Sequence, residues 1–198
     1  MLTRISPSRV ETKIVAITPH IETGEDAHPA LHLGIGLVKG KKMDLIIQKI
    51  SELGVAGLHP FRSRYCAVQD KTKDRLSRWQ KIALEACKQC NRPKPLEINP
   101  TLELKELLAT DEKVYDLKLI FWENKEGQKT LREIFAPLKK IQSVMILIGP
   151  EGGFSADEVG VAIDVGYEPV TMGSRILRVE TAAITAVSIL QHELGNLA

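Results

Sequence analysis

The sequence predicts an α/β fold built on a mostly parallel sheet with helices on both faces, and three observations lead there. Short apolar runs, bounded by glycine, proline or polar residues and too brief for helices, read as buried strands; Val144 to Ile148 is the clearest. Longer segments with apolar residues at helical spacing lie between them, so that strand alternates with helix from Leu31 onward. The turns that follow two strands carry the unusual residues: Gly149-Pro150-Glu151-Gly152-Gly153 after one and Met172-Gly173-Ser174-Arg175 after the other. Ligand sites in open α/β sheets gather at that edge.

Residues 1 to 28 stand apart. Leu2 to Ile5 and Val10 to Thr18 alternate loosely as two strands around a Ser6-Pro7-Ser8 turn, and Pro19 with the polar Glu22 to Asp26 ends them. A lone hairpin is marginally stable, so this segment is expected to be mobile or to lean on the main domain. Leu31 to Val38 is then a strand. Met43, Ile46, Ile47, Ile50 and Leu53 follow at i, i+3, i+4, i+7 and i+10, an amphipathic helix closed by Gly54. Val55 to Phe61 is the next strand, with Arg62-Ser63-Arg64-Tyr65 beyond its C-terminal end.

A helix from about Asp74 to Cys90 is stopped by Asn91-Arg92-Pro93; a short strand at Ile98 and a short helix from Leu102 to Leu108 come after it. Leu117 to Trp122 reads as a buried strand ending in the polar loop Glu123 to Gly127, and Leu131, Ile134, Phe135 and Leu138 mark a further helix. After the central strand, Ser155 with Glu158 three residues on is the pairing of a capping box. Glu168 to Thr171 is the last strand, and a helix of small and apolar residues begins near Arg178 and Glu180.

The length of 198 residues suits one good-sized domain with a small appendage. Apolar runs fall short of the roughly 20 residues a membrane span needs, and Arg4 and Arg9 precede no apolar signal region, so a cytoplasmic protein is expected. A net charge of +2 argues little by itself. The early clustering of Lys39, Lys41, Lys42 and Lys49, then Arg62, Arg64, Lys71, Lys73, Arg75 and Arg78, suits a polyanionic partner or an ordinary solvated face. Cys87 and Cys90 form a C-x-x-C, but they continue the helical stripe of Trp79, Ile82, Ala83 and Ala86, and no second pair completes a metal site. No metal is expected, and Cys66 carries no signal.

The glycine turn is not a standard nucleotide loop. A P-loop needs Lys-Ser or Lys-Thr after its last glycine, where Phe154-Ser155 stands, and G-x-G-x-x-G fails because Lys39 follows Gly34 and Gly36. Alone, the turn reads equally well as a tight connection with no ligand. The string Leu147-Ile148-Gly149-Pro150-Glu151-Gly152-Gly153-Phe154-Ser155, with Gly173-Ser174-Arg175-Ile176-Leu177-Arg178-Val179-Glu180-Thr181-Ala182 some twenty residues later, resembles the SPOUT methyltransferases and, within them, the RsmE family. Lys39-Gly40-Lys41-Lys42-Met43-Asp44, Gln48-Lys49, Glu52-Leu53-Gly54 and Trp79-Gln80-Lys81-Ile82-Ala83 extend the resemblance back to about Leu31.

That resemblance implies a trefoil-knotted α/β fold, S-adenosylmethionine bound in the knot, a homodimer, and methylation at N3 of a uridine in the 16S rRNA of the small ribosomal subunit. It also implies a complete PUA-like RNA-binding barrel at the start of the family's chains. Here residues 1–28 look like a remnant of it, its last hairpin, and residues 29–198 like the methyltransferase domain. By the same resemblance Ile148, Gly149, Glu151, Gly152 and Gly153 line one side of the cofactor pocket. Met172, Gly173, Ile176 and Leu177 line the other, with Ile176 and Leu177 as the apolar walls of the adenine.

Arg178 and Glu180 flank that pocket as catalytic candidates, the first to stabilise charge on a uracil oxygen, the second to accept the N3 proton or serve as a first-turn acid. Lys42, Lys49, Arg62, Arg64 and Arg175 are candidates for RNA backbone contacts, and no histidine is placed for general-base work. Two other readings remain open on the residues alone: an RNA-binding module without catalysis, and a nucleotide-binding α/β enzyme whose glycine loop holds phosphate.

Overall fold

The computed structural model describes residues 2–6, 9–16, 29–68, 74–110, 115–123, 128–135 and 141–197. β1 (Leu2–Ser6) and β2 (Arg9–Thr12) pair antiparallel as a sheet of their own. Then come β3 (Ala30–Gly36), α1 (Lys42–Glu52), β4 (Gly57–Arg62), α2 (Asp74–Gln89) and β5 (Glu97–Ile98). β6 (Leu102–Glu103) runs straight into α3 (Leu104–Thr110), followed by β7 (Leu117–Phe121), β8 (Lys129–Thr130) and α4 (Leu131–Phe135). The last elements are β9 (Ser143–Ile148), α5 (Ala156–Asp164), β10 (Glu168–Thr171) and α6 (Val179–Glu193).

Among the described residues, eight strands form the main sheet in the order β5-β4-β3-β9-β7-β10-β8, with β6 also paired to β4, and each of these pairings is parallel. Parallel strands covered on both faces must be apolar without alternation, which is why β9 reads as an unbroken apolar run. Val144, Ile146 and Ile148 enter one core with residues of α1, α2, α4 and α6, whereas Met145 and Leu147 enter a second with α3 and α5.

The helix ends follow from local chemistry. Ile46, Ile47 and Ile50 of α1 are fully buried, and Gly54 takes the left-handed conformation (φ +80°) that ends the helix. Carbonyls at that end accept from distant side chains: Arg92 Nη1 donates to Ser51 O and Val55 O at 2.9 and 3.1 Å, and Gln191 Nε2 to Leu53 O at 2.6 Å. α5 begins with the expected capping box: Ser155 Oγ accepts from Glu158 N–H, and Ser155 N–H donates to Glu158 Oε2 at 2.9 Å.

Three expectations shift. The segment from Leu102 opens as a strand before it turns helical, because Leu102 pairs with Phe61 beside β4. β8 is too short and polar for periodicity to reveal, and the second strand of the hairpin stops at Thr12. Pro19, the polar run after it and Leu138 lie outside the described residues. The second face carries a polar contact where His32 Nδ1 and His59 Nε2 lie 3.2 Å apart, with the Tyr115 ring 5.0 Å from that of His32. The three cysteines are free, and among the described residues no helix is long and apolar enough to cross a membrane.

Candidate functional site

β9, β7 and β10 are neighbours in the sheet, and their C-terminal ends open onto one cavity of about 410 Å³. Each strand contributes the segment that leaves it. β9 gives Ile148 and the Gly149–Gly153 turn, β7 gives Phe121, Trp122 and Glu123, and β10 gives the loop that runs to α6.

Glycine is required at two of these positions by backbone conformation. Gly153 has φ +68° and its N–H closes the turn on Pro150 O at 2.9 Å; Gly173 has φ +102°. A Cβ on either would meet no neighbouring atom, so both face open space. Thr171 fixes the second loop, its Oγ1 accepting from Gly173 N–H at 3.3 Å and donating to Gly173 O at 3.2 Å. Gly152 is different: a Cβ there would lie 2.6 Å from Tyr65 Cβ, so the segment after β4 buttresses the turn from outside.

Glu151 ties the turn to α1. Its Oε1 accepts from Lys42 Nζ at 2.9 Å and from Lys39 N–H at 3.2 Å. Burial would raise its carboxyl pKa. The bonds from Lys42, its own N–H and Lys39, with the Lys42 charge, outweigh this and hold it below the ordinary value.

All nine residues read as cofactor-binding, from Ile148 through Leu177, line this cavity, as do Lys42, Arg175 and Arg178. Ile176 is 78% exposed, which leaves Leu177 as the more enclosed of the two expected apolar walls. Glu180 does not line the cavity; it is half-buried on α6, and its Oε2 has no hydrogen-bond partner among the described residues. Lys49, Arg62 and Arg64 lie elsewhere, paired with Glu52, Glu103 and Asp157 at 2.9, 2.6 and 3.3 Å. Phe121, Trp122 and Glu123 were not singled out as site residues, although their place at a strand's C-terminal end was the available signal.

The cavity thus joins close backbone approach, apolar side chains and the acids Glu123 and Glu151, with Arg175 and Arg178 at the opposite loop. Its size falls within the range of ~300–1,000 Å³ usual for small-molecule sites. Among the described residues no group of three or more His, Cys, Asp or Glu side chains is placed to hold a metal ion.

Comparison with known proteins gives consistent matches. Residues 25–191 match the model of an RNA methyltransferase domain. The chain is 38% identical over 171 residues to the ribosomal RNA small subunit methyltransferase E of Buchnera aphidicola subsp. Schizaphis graminum, covering 84% of this chain and 67% of that protein. Among solved structures, the small subunit methyltransferase E of Neisseria gonorrhoeae, bound to S-adenosyl methionine, superposes with a TM-score of 0.76 at 32% identity, covering 86% of this chain and 68% of that one. A Legionella pneumophila protein solved in complex with the cofactor SAM gives 0.75 at 35% identity, covering 83% and 66%. The chain therefore spans about two thirds of the length of these relatives.

Proposed function

The chain belongs to the RNA methyltransferase family, with small subunit methyltransferase E proteins among its relatives, and from that membership we propose that it transfers a methyl group from S-adenosylmethionine to N3 of a uridine in the 16S rRNA of the small ribosomal subunit. The observation that carries this reading is the cavity formed by two glycine-bearing turns at the C-terminal ends of β9 and β10, the parallel strands on either side of β7. A nucleoside with a cationic amino-acid tail fits what is there. Bare backbone suits its hydrogen-bonding edges, Ile148 and Leu177 its base, and Glu151 or Glu123 its positive charge.

When bound, S-adenosylmethionine supplies a methyl group already activated on a sulfonium, so the chain's own task is alignment and proton removal. The Gly149–Gly153 turn, clamped by Tyr65 and by Lys42, orients the donor. Arg178, the N-cap residue of α6, makes no side-chain cap bond and lines the cavity, which suits it to charge developing on a uracil oxygen. Arg175 serves the RNA backbone in this reading. Glu180, set back from the cavity, is the proposed proton acceptor, with the alternative role of a first-turn acid on α6.

The resemblance further supports a knotted path, a homodimer, and the assignment of residues 1–28 to an RNA-binding remnant and 29–198 to the methyltransferase domain. Calorimetric titration tests the donor assignment: the chain should bind S-adenosylmethionine and not ATP. Uptake of ATP alone would favour a nucleotide-binding enzyme instead.

A further inference from the structure

Three lysines, Lys39, Lys41 and Lys42, crowd the start of α1, whose N-cap Lys41 provides no side-chain cap. Cations are misplaced there, because unpaired N–H groups and the helix dipole make that end positive. Asp44 in the first turn answers part of this charge, but its carboxylate is taken by Arg78. The remaining acid comes from far along the chain: Glu151, on the glycine turn, bonded to both Lys42 Nζ and Lys39 N–H. An arrangement that is locally unfavourable on α1 thus becomes a clasp between α1 and the wall of the cavity, and Lys42 and Glu151 both line it.

We infer that Lys42 is a positioning residue for the donor site: it acts through Glu151, holding that carboxylate and the turn that carries it in place at the cavity wall. This deepens the donor reading above and rests on it. Both bonds from the α1 side are accepted by Oε1, so Oε2 is engaged by neither and is the atom assigned to the positive end of the donor. The pair is only half-exposed, with 38% and 32% of the two side chains reaching solvent, so the contact is neither freely hydrated nor sealed. The sequence makes Lys42 a candidate for RNA backbone contact; in this arrangement its charge is committed to the turn.

Removing Lys42 has a consequence that a purely structural lysine would not produce. Burial pushes the Glu151 carboxyl up, and the bonds from Lys42 are first among the effects that bring it back down. Without Lys42, the carboxylate takes up a proton at higher pH and its negative charge is lost to the donor. The other charged groups of the cavity are Glu123 after β7 and Arg175 and Arg178 before α6. These residues are present in every variant compared, as is the same donor.

The test is calorimetric titration of S-adenosylmethionine against the full chain, Lys42→Met, Lys42→Arg, Glu151→Gln and the double variant Lys42→Met/Glu151→Gln, from pH 5 to pH 8, with melting temperatures in parallel. Lys42→Met should weaken binding several-fold and more so as the pH falls. Lys42→Arg should restore the parent profile, and the double variant should lose the added pH dependence because the titrating carboxylate is gone. A Lys42→Met profile parallel to the parent's at all pH values overturns the inference. So does an acid-side loss that persists in the double variant. If Lys42→Met fails to fold, Glu151→Gln decides: binding as tight as the parent's overturns the inference. Failure of the parent chain to bind S-adenosylmethionine would overturn the donor reading and this inference with it, an outcome distinct from the others.

Discussion

His59 meets His32 on the second face of the sheet, and burial, with the His32 ring beside it, lowers its pKa to about 4. The unfolded chain takes up this proton below its ordinary value near 6.5, the folded chain only near 4, so stability is full above pH 6.5 and falls as pH drops toward 4. At ~1.4 kcal/mol per pKa unit, the loss is on the order of 3–4 kcal/mol once the pH is below the folded value. Melting curves of His59→Gln should show a shallower decline over that window than the parent; parallel declines would mean that the pair is not protonated on unfolding. At the cavity, Gly153→Val combines a residue strained at positive φ with a side chain in open space. Calorimetry should find S-adenosylmethionine binding abolished while the chain still melts cooperatively. Gly149 to Gly153 and Met172 to Leu177 stand out because unusual residues follow short apolar runs, but it is the family resemblance that implies a cofactor pocket there. The Lys42–Glu151 pair was not, since residues 109 apart meet only through the strand order.

The elements were legible where one rule acted alone. Ile46, Ile47 and Ile50 fix the buried face of α1, and the unbroken apolar run of β9 fixes a strand covered on both sides. β8 is hidden because Lys129 and Thr130 are exposed and, among the described residues, join the sheet through Val170 and Thr171 of β10. α5 begins directly after the glycine turn, and its start is set by the reciprocal bonds of Ser155 and Glu158. Ser155→Ala removes one half of its capping box and should cost about 1 kcal/mol, a fall in melting temperature of roughly 2–4 °C for a chain of this length. Donor affinity should also weaken, because α5 begins directly after the glycine turn. An unchanged melting temperature would show that the cap bonds are exchanged for water at no cost.

At the scale of the whole molecule, neither the order β5-β4-β3-β9-β7-β10-β8 nor the convergence of β7 with β9 and β10 can be read from periodicity. Phe121, Trp122 and Glu123 join the cavity through that convergence, and the sequence signals only that they end a strand. α6 presents Thr181, Thr185, Ser188 and the partly exposed Ile189, small or apolar groups suited to close helix approach. A homodimer is expected, and light scattering should give twice the 22.0 kDa of one chain at micromolar concentration. A mass of one chain there would remove α6 as an interface. Methyl transfer is measured most directly by following a radiolabelled methyl from S-adenosylmethionine to unmodified small ribosomal particles, with nucleoside analysis of the product. Label is expected in 3-methyluridine, none with Gly153→Val, and much slower transfer with Arg178→Ala at near-parent donor affinity. No transfer by a chain that binds the donor, or label in a different nucleoside, would contradict the proposed function.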